Sequence, residues 1–146
     1  MKPMSFTYSG TVGSPIDRVF ELITDAARMV EWLPGCRKVT PSPNRTGKGA
    51  RHKIEFQRKG KRVDSEIEIL EYTPPTGYGW VEVRGRKGSK TFFALRFEGG
   101  ATLVTMKYVF TPAGLRAWLN AHVYRRHHAH RMFDSLLQNV RKALMK

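Results

Sequence analysis

The segment from Pro112 to Lys146 constrains the fold of this chain more than any other. Placed on a helix at about 100° per residue, its apolar side chains fall on one broad stripe. The pattern predicts an amphipathic helix of up to about nine turns, either continuous or in two stacked pieces. No other segment predicts an element of that length, so this helix should cover the rest of the fold. The stripe consists of Leu115, Trp118, Leu119, Ala129, Phe133, Leu136, Leu137, Val140 and Leu144.

Two polar residues, His122 and Arg126, interrupt the stripe near its centre. A cation that points into an apolar face is unfavourable by several kcal/mol unless it is paired or solvated. Either the helix breaks near Ala121 to Tyr124 and turns both side chains to solvent, or it covers a cavity instead of a packed core. In the second case the two side chains could together bind a carboxylate, phosphate or enolate oxygen.

Ahead of this helix the sequence predicts a strand, two short helices and a meander of about six strands. The first strand is Ser5 to Val12, and Asp25 is expected to cap the second helix. The best-defined pairing is a hairpin from Ala50 to Tyr72 with a two-residue turn at Lys59-Gly60. Its register gives one largely apolar face and one face of opposite charges. The expected pairs are Phe56 with Val63, Ile54 with Ser65, His52 with Ile67, Lys53 with Glu66 and Arg51 with Glu68.

This order of elements predicts the α+β class. We expect a curved antiparallel sheet of about six or seven strands, with two short N-terminal helices and the long C-terminal helix over a cavity. A chain of 146 residues fits one domain spanning 1–146. The space between sheet and helix is the expected ligand site. Its candidate lining is His52, Ile54, Phe56, Ser65, Ile67, Trp80, Phe93 and Met106 from the sheet, and Trp118, His122 and Arg126 from the helix.

Charge suggests a second hypothesis. The chain has 26 Lys and Arg against 12 Asp and Glu, a formal net charge of +14. Such an excess favours anionic partners. Three clusters contribute most: 58–62, 84–90, and the arginines Arg125, Arg126 and Arg131. The alternative function is therefore a basic module that docks on RNA, on a ribosome or on an anionic membrane surface, although aromatic residues for base stacking are missing from these runs.

Other features restrict the chemistry. No nucleophile elbow, phosphate-binding loop, dinucleotide fingerprint or Cys-x-x-Cys pair occurs, and we expect no cofactor. His127, His130 and Asp134 share one flank of the predicted helix, but Arg126 and Arg131 crowd it, and we expect no metal there. The single Cys36 reads as a small apolar residue. No apolar run fits a signal peptide or a membrane span, so we expect a cytoplasmic protein without stable membrane insertion.

Several motifs resemble those of a known family. They are 14–20, the stretch from Asp25 to Trp32-Leu33-Pro34-Gly35, Gly47-Lys48-Gly49, Gly99-Gly100 and the closing helix from Phe133 to Leu144. Together they resemble the START-like, helix-grip (SRPBCC) superfamily, in particular its polyketide cyclase/dehydrase and lipid-transport branch.

The resemblance implies a small hydrophobic or aromatic ligand, which could be anionic, and either a cyclase- or aromatase-like activity without cofactor or a lipid-carrier role. No invariant catalytic set travels with this fold, so the catalytic residues stay unassigned. If the chain is an enzyme, His52, His122 and Arg126 would be its polar groups. Trp32 reads either as packing at the corner between helix and sheet or as a lip of the cavity mouth.

Overall fold

The computed structural model describes residues 2–43, 45–120 and 126–145, without the side chains of Trp118, Asn120 and Arg126. Seven strands and four α-helices occur in this part of the chain. In chain order they are β1 (Met4–Val12), α1 (Ile16–Thr24), α2 (Met29–Trp32, after a 3-10 turn at Ala26–Arg28), β2 (Cys36–Thr40), β3 (Arg51–Arg58), β4 (Lys61–Thr73), β5 (Gly77–Arg84), β6 (Lys90–Glu98), β7 (Ala101–Phe110), α3 (Leu115–Asn120) and α4 (Arg126–Leu144).

The strands form one antiparallel sheet in the order β1-β7-β6-β5-β4-β3-β2. Strands β3 to β7 are a simple meander, while β1 joins β7 at one edge and β2 joins β3 at the other. The sheet presents one face to α1, α2 and α4, which pack on it and bury its apolar side chains. The predicted α+β helix-grip architecture is confirmed, while the cavity expected under the C-terminal helix stays a prediction.

The β3–β4 hairpin has the predicted register. Phe56 pairs with Val63, Ile54 with Ser65, and His52 with Ile67. On the outer face the Arg51 guanidinium lies 2.9 Å from a Glu68 carboxylate oxygen and 3.8 Å from one of Glu66. The alternation of apolar and charged residues therefore determined both the register and which face is buried.

The two short N-terminal helices form as predicted. Val19, Phe20 and Ile23 of α1 are buried, which follows from their helical spacing. The Asp25 carboxylate accepts a hydrogen bond of 3.2 Å from the Ala27 amide, so its predicted capping role is confirmed.

The first part of the predicted C-terminal stripe is wrong. Helix α3 begins at Leu115, not at Pro112, and follows Gly114, whose φ of 97° favours glycine. Leu115 is 66% exposed and Leu119 49% exposed, so neither belongs to the core. The prediction failed because helical spacing shows which residues share a face, but not whether that face meets the sheet. The continuity of the helix through 121–125 lies outside the described residues.

The second part of the stripe is confirmed on α4, which buries Phe133, Leu136, Leu137, Val140 and Ala143. The Phe133 ring stacks on Tyr8 of β1, with 5.8 Å between centroids. Gly10 on the same strand provides space for Leu137, because a Cβ atom there would collide with the Leu137 side chain. The Asn139 amide donates to the Trp32 carbonyl at 3.2 Å, and the Arg141 guanidinium donates to the Thr11 carbonyl at 2.6 Å.

None of the helices in the described ranges combines the length and the hydropathy that a bilayer crossing requires.

Candidate functional site

The gripping face is the sheet face that α4 covers. Alternate residues of neighbouring strands form its floor, because paired residues in an antiparallel sheet point to the same side. Trp80 pairs with Ile69 on one side and with Thr91 on the other, and Phe93 pairs with Met106. These pairings establish which way the side chains of β5 point, which the sequence left ambiguous. Tyr78, Trp80 and Glu82 all point toward the helices.

The apolar sheet residues predicted for the pocket do share this face. All six lie in one core cluster and are nearly inaccessible to solvent. Trp80 contacts Phe93 and Trp32, with ring centroids 5.7 and 6.5 Å apart. These six apolar residues of the gripping face are Ile54, Phe56, Ile67, Trp80, Phe93 and Met106. Their role in ligand binding stays a prediction.

The two polar members of the predicted lining are also buried, and each makes a hydrogen bond with a backbone group. The Ser65 hydroxyl donates to the Arg84 carbonyl at 3.1 Å. The His52 Nδ1 atom accepts a hydrogen bond of 3.0 Å from the Ser42 amide, and burial lowers the pKa of His52. His52 therefore presents a neutral imidazole and tethers the connection between β2 and β3.

The side chains of the three predicted helix residues are not among those that the structure describes. His122 lies in 121–125, and of Trp118 and Arg126 only the backbone is described. Their proposed contact with a ligand stays a prediction.

Trp32 lies inside the packed interior, with no solvent exposure. Its ring meets Phe93 edge-on at 5.9 Å between centroids. Among the described residues, its indole nitrogen is the only buried side-chain nitrogen or oxygen without a hydrogen-bond partner. A buried N–H of this kind is unfavourable by about 1–3 kcal/mol until it finds an acceptor.

One end of the sheet differs from the rest, and we call it the basic end. The β3–β4 turn, the β5–β6 connection and the β7–α3 connection all lie there, because alternate turns of an antiparallel meander fall at the same end. Thr91 and Tyr108, which pair across β6 and β7 on the gripping face, are only partly buried. The side chains next to Phe93 and Met106 on these two strands are thus more accessible, and beyond them Phe110 is buried again in a small cluster with Phe6.

Arg58 is the central cation of the basic end. Its guanidinium lies 4.1 Å from the centroid of the Phe56 ring and its side chain is 27% exposed. Burial lowers the pKa of Arg58 and nearby Arg86 lowers it further, whereas Glu82 and Tyr108 raise it. Within the described part of the chain the guanidinium makes no hydrogen bond, and its nearest carboxylate oxygen, on Glu82, is 3.9 Å away. Arg58 therefore keeps donors available on the gripping side.

Glu82 is the carboxylate beside Arg58, and it is 7% exposed. Its second oxygen accepts a 2.6 Å hydrogen bond from the Arg86 amide. Gly85 allows the connection to close over this carboxylate, since its φ is 99° and a Cβ atom would lie 2.9 Å from a Glu82 oxygen. The site therefore combines one carboxylate with two cations, Arg58 and Arg86, and its net charge is positive.

Sequence reasoning missed Arg58 and Glu82 as site residues. Arg58 could have been found, because it lies two residues after Phe56 on a strand whose apolar face had been identified. Glu82 was harder to place, because a bulge separates it from Arg84. Glu82 pairs with Ile67 on the gripping face, while Arg84 pairs with Glu66 on the outer face.

Two open clefts adjoin the gripping face at the two edges of the sheet. One of about 490 Å³ runs between β1 and the start of α4, where its lining residue Tyr8 pairs with Met106. The other, of about 210 Å³, lies against β2, β3 and β4 and includes Ile54 and Ser65 in its lining. His127 and His130 line the first, where a His130 nitrogen is 3.4 Å from an Asp134 oxygen. No group of three or more metal-ligating side chains occurs among the residues that the structure describes.

The Cys36 thiol is buried in the core cluster, and desolvation raises its pKa to about 11. It is therefore protonated at neutral pH and serves as an apolar side chain, as predicted.

A family model described as polyketide cyclase / dehydrase and lipid transport matches residues 3–144. The chain belongs to this family. The START-like resemblance is thereby confirmed, and the family is one that binds small hydrophobic ligands. No curated protein sequence matches the chain.

Solved structures share the fold of this member of the family. Ara h 8.0201 superposes with a TM-score of 0.76 at 13% identity, over 99% of both chains. The di-domain ARO/CYC BexL from the BE-7585A biosynthetic pathway gives a TM-score of 0.78 at 16% identity, over 96% of this chain, which spans about half (49%) of BexL. A conserved protein from Geobacillus kaustophilus gives 0.76 at 15% identity, over 97% of this chain and 95% of that one. At these identities the likeness shows the fold alone.

Proposed function

We propose that this protein binds a small apolar or aromatic molecule that carries an anionic group, between the gripping face and the C-terminal helical region. The observation that carries the proposal is Arg58. It is a mostly buried guanidinium without a hydrogen-bond acceptor among the described residues, stacked on an aromatic ring of the gripping face. A ligand carboxylate, phosphate or enolate would supply the missing acceptor, and a desolvated charged hydrogen bond is among the stronger polar contacts.

The apolar part of the ligand is assigned to the adjoining floor. Phe56 and Trp80 are buried aromatic residues of that floor, and Thr91 and Tyr108 are the partly buried residues between it and the basic end, where a ligand would enter. Side chains of this kind, with a few polar groups, are typical of small-molecule sites. The Trp32 indole N–H is a further donor that a deeply bound ligand could satisfy.

The family suggests what such binding serves. BexL is described as an ARO/CYC, which is an aromatase/cyclase, and the family description includes lipid transport. In a cyclase- or aromatase-like form, the site would orient a flexible chain and hold an enolate oxygen near Arg58, without a cofactor. In a carrier form, the same site would shield an apolar chain with its acidic group at Arg58. Product analysis of a poly-β-keto substrate incubated with and without the protein separates the two forms.

The binding proposal is tested with 8-anilinonaphthalene-1-sulfonate, a dye that is both aromatic and anionic. Saturable binding should raise the dye's fluorescence and raise the melting temperature, because a ligand that binds only the folded state stabilises it. Thr91→Phe should abolish this binding, since the new ring would fill the gripping face where it becomes accessible. Ala94→Phe is the matched control, because Ala94 is exposed on the same strand and points to the outer face. Equal binding by the two variants would overturn the proposed location.

A further inference from the structure

The basic end carries an unbalanced positive surface. The segments that meet there are 58–62 and 84–90, each with four Lys and Arg, and 107–116, with two more. None of the three contains an Asp or Glu. Their convergence at one end follows from the strand order, although they are far apart in sequence.

Two of these cations are not counted toward a docking surface. Arg58 belongs to the proposed ligand site, and the Arg62 guanidinium is 3.2 Å from oxygens of both Glu55 and Asp64. The exposed cations without an ion pair to any described residue are of most interest. Five of them, in the β3–β4 turn and the β5–β6 connection, are called the basic rim: Lys59, Lys61, Arg86, Lys87 and Lys90.

Helix α3 adds an apolar feature at the same end. It begins five residues after the end of β7. That end of β7 lies beside Lys90, which pairs with Val109. Leu115 and Leu119 are one turn apart, so they share a face, and both are exposed. Arg116, also exposed, lies on the same helix. This end of the sheet therefore carries exposed leucines as well as cations without an ion pair to a described residue, and apolar surface rimmed by charge is typical of interaction sites.

We propose that the basic rim and α3 together dock this protein peripherally on an anionic lipid bilayer. Lys and Arg are attracted to anionic headgroups, and exposed leucines gain by entering the boundary between headgroups and acyl chains. RNA would use the cations but would leave the leucines exposed, and the rim has no aromatic side chains for base stacking. The leucines therefore favour a lipid surface. The inference is independent of ligand binding, and it would place the accessible part of the gripping face next to the membrane.

The test is co-sedimentation of the ligand-free protein with vesicles of phosphatidylcholine alone or with 30% phosphatidylglycerol. We expect binding only to the anionic vesicles. Lys61→Glu combined with Lys87→Glu should weaken it about 30-fold or more, since each basic residue near an anionic surface contributes about fivefold. The control is Lys48→Glu combined with Lys142→Glu, which changes the net charge equally at the opposite end of the sheet and should weaken binding much less. All four lysines are exposed, and circular dichroism checks that each variant is folded.

A third variant, Leu115→Ser with Leu119→Ser, separates lipid from nucleic acid. It should remove the part of the binding that survives 0.5 M salt, because that part comes from the leucines and not from charge. The proposal is overturned if the anionic vesicles fail to sediment the protein, or if both charge reversals weaken binding equally. It is also overturned if the serine variant binds like the wild type while a single-stranded RNA competes for the rim.

Discussion

The two ends of the gripping face differ in packing and in charge. From Phe133 onward, α4 closes over the sheet with side chains that exclude solvent, and α1 and α2 fill the remaining space. At the basic end the same sheet carries Arg58, Glu82 and Tyr108, and α3 exposes two leucines instead of burying them. The stability of the fold therefore comes mainly from the first region, which we call the packed region. The second region is free to carry charge and to accept a partner.

The largest expected effect separates the apolar residues of the two regions. Phe133→Ala should lower the free energy of unfolding by about 3–5 kcal/mol, because it leaves a cavity in the packed region. Leu119→Ala on α3 should change it by no more than about 0.5 kcal/mol, since Leu119 is half exposed. Urea denaturation measures both. Similar losses for the two variants would mean that the basic end contributes to the core as much as the packed region does.

How much of this contrast the sequence predicts depends on the element. The β3–β4 hairpin was predictable because opposite charges and apolar side chains select a single register. The burial of α4 from Phe133 onward follows from helical spacing alone. Leu115 and Leu119 carry the same apolar signal, yet whether their face meets the sheet depends on where the folded chain places α3. For these two residues that information comes only from the folded chain.

The candidate site was less predictable than the fold. The sequence identified the apolar floor but assigned the anion-binding role to His122 and Arg126, and Arg58 had been counted only among the surface cations. Nothing in the sequence marks the bulge that turns Glu82 inward and Arg84 outward. A single unpaired residue in a strand reverses the facing of every residue beyond it, so local irregularity limits prediction here.

A smaller effect is expected for the carboxylate of the basic end. Glu82→Ala should lower the free energy of unfolding by about 1–3 kcal/mol, because the Arg86 amide loses its acceptor and Arg58 loses its counter-charge. Glu66→Ala, on the outer face, removes a more exposed carboxylate that lies 3.8 Å from Arg51, and should lower it by less than about 1 kcal/mol. Thermal denaturation of the two variants compares them. If Glu82→Ala were neutral, the carboxylate would not organise this end.

The smallest effect concerns pH and His52. Burial lowers the pKa of His52 in the folded protein, so the unfolded chain binds the proton more readily. The free energy of unfolding should therefore fall as the pH drops below about 6.5, and the loss should level off below the folded-state pKa. His52→Gln should reduce this pH dependence. The measurement is urea denaturation at pH 7.5 and pH 5 for both proteins, and an identical pH dependence would show that His52 is not its source.

The central claim is that Arg58 holds the anionic group of a ligand whose apolar part lies on the gripping face. Calorimetric titration with 2-naphthoate and with its neutral amide tests it most directly, using the wild type, Arg58→Met, and the outer-face control Arg51→Met. We expect Arg58→Met to weaken naphthoate binding by about 1.5–3 kcal/mol, the contribution of a charged hydrogen bond, and to leave amide binding unchanged. Arg51→Met should affect neither ligand. Wild-type protein that binds neither ligand, or an Arg58→Met variant with both affinities unchanged or equally reduced, would contradict the account.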